Sequence, residues 1–119
     1  MQEVVFQGIT DAQWQECQAL LKAEKARGRG RPPVSRRGVI NVIIWMALHR
    51  APWRMVPKGV IWASKSSAHS HWQTWVHDGT LGRLRPVLTR IAQQYGPIIN
   101  PAVLQATAKA DVSESGAVA

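Results

Sequence analysis

Acidic side chains are almost missing from the middle of this chain. From Arg27 to Arg90 there are twelve lysines and arginines, and Asp78 is the only acid. Paired carboxylates for two-metal or acid–base chemistry are therefore not available across that stretch. Cysteine is scarce too: Cys17 stands alone, which excludes an internal disulfide. Its setting, WQECQALL, reads as helix, so a small packing residue is expected there. The four histidines lack metal-ligand spacing, with no CxxC and no HExxH, and His69 and His71 point to different sides of a helix. No metal and no cofactor is expected. Ser67, His69 and Asp78 are the residue types of a nucleophilic triad, but no GxSxG turn presents a serine. The glycines of GRGR and PKG do not build a GxxxxGK[ST] phosphate loop. Long apolar runs are absent as well. VIIWMAL at 42–48 falls far short of the roughly 20 residues that span a bilayer, and MQEVVFQG has no basic region of a signal peptide. A cytoplasmic, nucleoid-associated protein with no membrane partner is the expectation.

What is present is charge of one sign and a full set of core residues. The 119 residues are 45% apolar, enough for one self-sufficient domain. The formal net charge is +8 and the isoelectric point is near 10.9. Basic residues gathered where acids are missing are the footprint of a polyanion binder.

The pattern predicts an all-α, compact bundle of about four helices with a helix-turn-helix-like core. Residues 1–9 read as a short extended lead-in, 10–95 as the helical domain, and 96–119 as a weakly structured tail. ITDAQWQECQALLKAEKA opens the first helix, capped by Thr10 or Asp11. Trp14, Cys17, Leu20 and Leu21 form its apolar stripe, and Lys22 and Lys25 suit its last turn. RGRGRPPVS at 27–35 cannot be helical and begins a basic arm over 27–37, with Arg29, Arg31, Arg36 and Arg37. The arm is either a solvated loop or a contact to phosphate or the minor groove.

SRRGVINVIIWMALHR, capped by Ser35, is apolar nearly all round. Its β-branched residues also suit a buried strand, but its length favours a central helix. APWRMVPKGVIW is then a long connection packed by its own aromatics. ASKSSAHSHWQTWVHDG makes the third helix, capped by Ser64 or Ser66 and stopped at Gly79. TLGRLRPVLTRIAQQYG makes the fourth, where Pro86 is expected to kink or split it unless the helix starts near Arg85. PIINPAVLQATA reads as one extended stretch. Trp14, Trp45, Trp53, Trp72 and Trp75 are the expected aromatic core.

The third helix draws the functional reading. Ala68, Trp72, Trp75 and Val76 share one face, and Lys65, Ser66, His69, Ser70, Gln73 and His77 occupy the other. A solvated helix face ordinarily mixes glutamate with lysine, whereas this one carries no acid from Lys65 to His77. Its side chains are donors and acceptors able to reach base edges and phosphates.

Three stretches, "TDAQW" at 10–14, "GRGRPPVSRRGVINVIIWMALHRAPWRMVP" at 28–57 and "WASKSSAHSHWQTWVHDGTLGRL" at 62–84, carry a family resemblance. They resemble the N-terminal domain of DDE-type insertion-sequence transposases of the insertion-sequence-five-like group. That pattern has an opening T-D-x-x-W, matched by Thr10, Asp11 and Trp14. A basic turn follows, matched from Arg29 to Pro33. The next motif, G/A-P-W-R-x-[LV]-P, is matched by Ala51, Pro52, Trp53, Arg54 and Pro57. A tryptophan-rich helix closed by D-G is matched by Trp62, Trp72, Trp75, Asp78 and Gly79. The likeness covers roughly residues 10–92 and implies a helical, DNA-binding domain. It also implies that catalysis belongs to a following nuclease domain with three metal-binding acids, opened by a strand such as I-D-[AS]-T. At 103–107 this chain reads VLQAT, so Gln105 stands where the first of those acids is expected. A neutral amide does not replace a carboxylate on Mg²⁺.

Double-stranded DNA is thus the expected partner, and the chain is expected to bind without being an enzyme. A role in regulating transcription or transposition follows from that reading. The rival readings are a protein-interaction or dimerisation module, with a homodimer as its assembly, and the N-terminal piece of a split transposase.

Overall fold

A computed structural model describes residues 6–21 and 35–106. Among them the chain forms α1 (Asp11–Gln18), α2 (Arg36–Leu48), a 3-10 turn (Trp53–Met55), α3 (Lys65–Asp78), α4 (Thr80–Gln93) and a single turn, α5 (Ala102–Gln105). The fold is all-α, as the apolar periodicity predicts.

Local chemistry sets the helix ends. The Thr10 hydroxyl accepts from the Gln13 N–H at 3.1 Å, and the Gln13 side chain accepts from the Thr10 N–H at 2.9 Å. This reciprocal capping box satisfies two otherwise orphaned donors. Ser35 caps α2 through the Gly38 N–H, and Ser64 caps α3 through the Ser67 N–H. Gly79, at φ 87°, occupies the left-handed region where a side chain is disfavoured, so α3 stops and α4 starts one residue later. The Asp78 carboxylate accepts the Thr80 N–H at 2.9 Å, which satisfies one of the donors at that start.

α2 is the hub. It is buried from Gly38 to Ile44 and again from Met46 to Leu48, enclosed by α3, α4 and α5. α4 lays Leu81, Leu84, Leu88 and Ile91, at steps of three and four, into the same core. Pro86 does not divide it: α4 runs unbroken through the proline. The carbonyl that Pro86 leaves unpaired belongs to Gly82, which is exposed, so water can serve it. Burial of the whole leucine stripe outweighs that local cost of ~3 kcal/mol.

Other expectations shift. α1 ends at Gln18, so Leu20 and Leu21 leave it in a turn and pack on the core from there. Lys22 and Lys25 lie outside the described residues. The lead-in is part of the core: Phe6 and Ile9 are buried, with Phe6 edge-on to Tyr95 at 5.0 Å and to Trp62 at 6.0 Å. The start of the tail is also packed. Rather than an extended stretch it makes the turn of α5, whose Val103 and Leu104 are buried. The Trp72 indole N–H donates to the Val103 carbonyl at 2.9 Å, and the Arg85 guanidinium donates to that of Leu104 at 2.7 Å. Of the five tryptophans expected inside, Trp75 is buried, while Trp14, Trp45, Trp53 and Trp72 are half-buried against the core.

Candidate nucleic-acid interface

Ala68 and Trp75 turn one face of α3 into the core. Ser66, Ser70, Gln73 and His77, spaced four, three and four apart, share the opposite face and are all exposed. At 1.5 Å per residue the stripe is roughly 16 Å long, comparable to the ~12 Å width of a DNA major groove. Thr74 is exposed beside it, and Ser70, Gln73, Thr74 and His77 line a shallow depression that Asp78 closes at the far end. Lys65 is exposed at the first turn.

His69 is placed differently. It is half-buried, edge-on to Trp53 at 4.9 Å and tilted over Trp72 at 5.7 Å, so it belongs to the aromatic seam that holds the connection against α3. His71 turns inward as well. Its Nδ1–H donates to the Ser67 carbonyl at 3.0 Å and its ring meets Trp75 edge-on.

The arm arginines divide. Arg29 and Arg31 lie outside the described residues. Arg37 is engaged at home, donating to the Asp11 carboxylate at 2.8 Å and to the Ile9 carbonyl at 2.7 Å, which ties α2 to the lead-in. Arg36 also has an interaction within the chain. Arg54, Lys58 and Thr74 are not among the contact residues expected from the sequence. Arg54 and Lys58 stand 11 and 7 positions before Lys65, yet the folded connection brings all three round one cavity. Linear spacing holds no signal for that. For Thr74 the signal was helical spacing, since it falls four residues after Ser70.

The helix pairing also departs from a simple helix-turn-helix. Residues 49–64 separate α2 from α3, against a turn of roughly three to four residues in that motif. The tight joint lies between α3 and α4. α4 is not free to read a groove, however, because its arginines hold other parts of the chain. Arg83 donates to the Leu20 carbonyl and the Thr80 hydroxyl, Arg85 to the Leu104 carbonyl, and Arg90 pairs with Glu16. α3, by contrast, leaves its polar face open.

Among the described residues no three His, Cys, Asp or Glu side chains are grouped to hold a metal ion, and no helix is long and apolar enough to cross a membrane. Residues 9–85 match the model of a family described as "Putative transposase of IS4/5 family (DUF4096)". No curated protein and no solved structure matches the chain.

Proposed function

Because the chain belongs to the IS4/5 family of transposases, we propose that it is a DNA-binding unit of that family, which lays the exposed face of α3 in the major groove of a duplex. The observation that carries this reading is the stripe Ser66, Ser70, Gln73 and His77, open along α3 and free of acids while the other face is locked into the core. These side chains supply hydrogen-bond donors and acceptors for base edges. The Gln73 amide has the bidentate geometry that suits adenine. The surrounding cations supply the sequence-independent attraction to phosphate. The Arg29 and Arg31 arm is proposed to add contacts to the backbone or the minor groove.

Nuclease chemistry of the transposase kind needs carboxylates round a metal ion. In this reading the chain binds DNA, and by binding directs or regulates transposition or transcription. Salt-titrated binding to duplex fragments tests it. With about five phosphate contacts, the slope of log affinity against log salt should be roughly −4 to −5. A slope near zero, or no binding at low salt, overturns the reading.

A further inference from the structure

Nine lysines and arginines fall among the described residues. Most are committed to the fold. Arg37 holds Asp11 and Ile9, Arg50 donates to the Ile99 carbonyl, and Arg83, Arg85 and Arg90 are engaged as described above. Arg36 has its own interaction. Arg54, Lys58 and Lys65 are the exceptions. All three are exposed, and among the described residues none of their side chains has a hydrogen bond or an ion pair.

They are also not scattered. All three line one cavity of about 460 Å³ between the 54–59 connection and the first turn of α3, with Trp62 forming part of its wall and no acid among the described residues that line it. Like charges gathered round one concavity favour an anion bound among them. A low-dielectric wall behind them focuses their field into the opening. Ser66, at the beginning of the polar stripe, lines the same cavity. The helical pattern also leaves the N–H groups of Lys65 and Ser66 without an intrahelical acceptor.

Resting on the proposed duplex binding by α3, we infer that this cavity is a backbone-phosphate subsite. Arg54 and Lys58 from the connection and Lys65 from the helix close on one stretch of one DNA strand, which fixes the register at which Ser70, Gln73 and His77 meet the base edges. Phosphate contacts of this kind position a reading helix without carrying sequence information themselves. The long connection between α2 and α3 thereby gains a purpose: it carries two cations to the start of the reading helix.

The test compares two variants of equal charge loss. Arg54→Gln with Lys58→Gln removes the two cations that lie off α3. Lys22→Gln with Lys25→Gln removes two others, more than 25 positions earlier in the sequence. Circular dichroism checks that both fold, and binding to one duplex is measured across a salt series. The cavity variant should lower the steepness of the salt slope by about 1–2 and weaken binding at least tenfold at low salt, with the control changing far less. Equal effects in the two variants overturn the subsite. So does an unchanged cavity variant beside a Gln73→Ala with Ser70→Ala variant that loses binding, and in that case duplex binding by α3 stands. If the unaltered chain binds no duplex, both readings fall.

Discussion

The buried Asn41 side chain accepts the Ile9 backbone N–H at 2.9 Å through its Oδ1. Its Nδ2 donates to the Ile61 carbonyl at 2.8 Å. One amide at the heart of α2 thus joins the lead-in before α1 to the connection before α3. Asn41→Leu keeps the branching at Cγ but is bulkier, and it leaves two backbone groups unpaired, each costing ~1–3 kcal/mol. The expected loss is about 2–4 kcal/mol in urea unfolding. A loss below 0.5 kcal/mol, on that order-of-magnitude scale, would mean that water replaces the amide without penalty.

Two glycines should respond in opposite directions to the same change. A Cβ on Gly38 would lie 2.9 Å from the Ala63 backbone nitrogen, where the 49–64 connection crosses α2. A Cβ on Gly82, on the open side of α4, would meet nothing within 4 Å beyond its own helix. Gly82→Ala should raise stability by ~0.5–1 kcal/mol, the usual helical gain. Gly38→Ala should lower it despite that gain. Thermal unfolding of the two variants side by side decides the matter, and a stabilised Gly38→Ala contradicts the close crossing.

Trp75 and Trp72 share α3 but not a depth. Trp75 is buried, so Trp75→Ala should cost ~3–5 kcal/mol. Trp72 is half-buried, against Trp53 at 5.6 Å, so Trp72→Ala should cost less, and part of its effect should be release of α5. Trp72→Phe keeps an aromatic ring but removes the indole hydrogen bond to Val103 with part of the packing, and should cost at least about 1 kcal/mol. Equal melting temperatures for the two alanine variants would refute the assigned depths.

Burial pushes the Cys17 thiol up from 9.0 to about 11, with neighbouring Glu16 adding to the rise and Arg90 opposing it. The native state therefore keeps the thiol proton after the unfolded chain has lost it. The resulting stability is present below pH 9 and lost as pH rises to about 11, amounting to roughly 2–3 kcal/mol at most. The drop between pH 9 and 11 should be smaller in Cys17→Ala than in the unaltered chain. The native thiol should also resist alkylation at pH 8 until the protein is unfolded, and rapid native labelling would contradict its burial.

Readout and charge should separate. Gln73→Ala should flatten preference at one base position and leave the salt slope nearly unchanged. Arg29→Ala with Arg31→Ala should weaken binding to every sequence and reduce the slope by up to about 2. Selection of bound sequences combined with salt titration measures both. A shift of preference in the arm variant alone would make the arm the reader.

Local chemistry determined much of this protein from the sequence alone. Thr10, Ser35, Ser64 and Gly79 mark helix ends because their hydrogen bonds or backbone freedom act within a few residues. The stripe of α4 and the two faces of α3 follow from a period that any helix imposes. What the sequence could not reveal depends on segments distant along the chain. Pro86 looks like a breaker until the burial of the leucines around it is set against one solvated carbonyl. Arg37 and His69 look like surface donors until Asp11 and Trp53 are seen beside them. Arg54, Lys58 and Lys65 become a cluster only when packing of Trp53 and Trp62 folds the connection back to the start of α3. The twelve cations of the central stretch were countable in the sequence. Which of them the fold consumes, and which it leaves free, is set by tertiary contacts that no local pattern encodes.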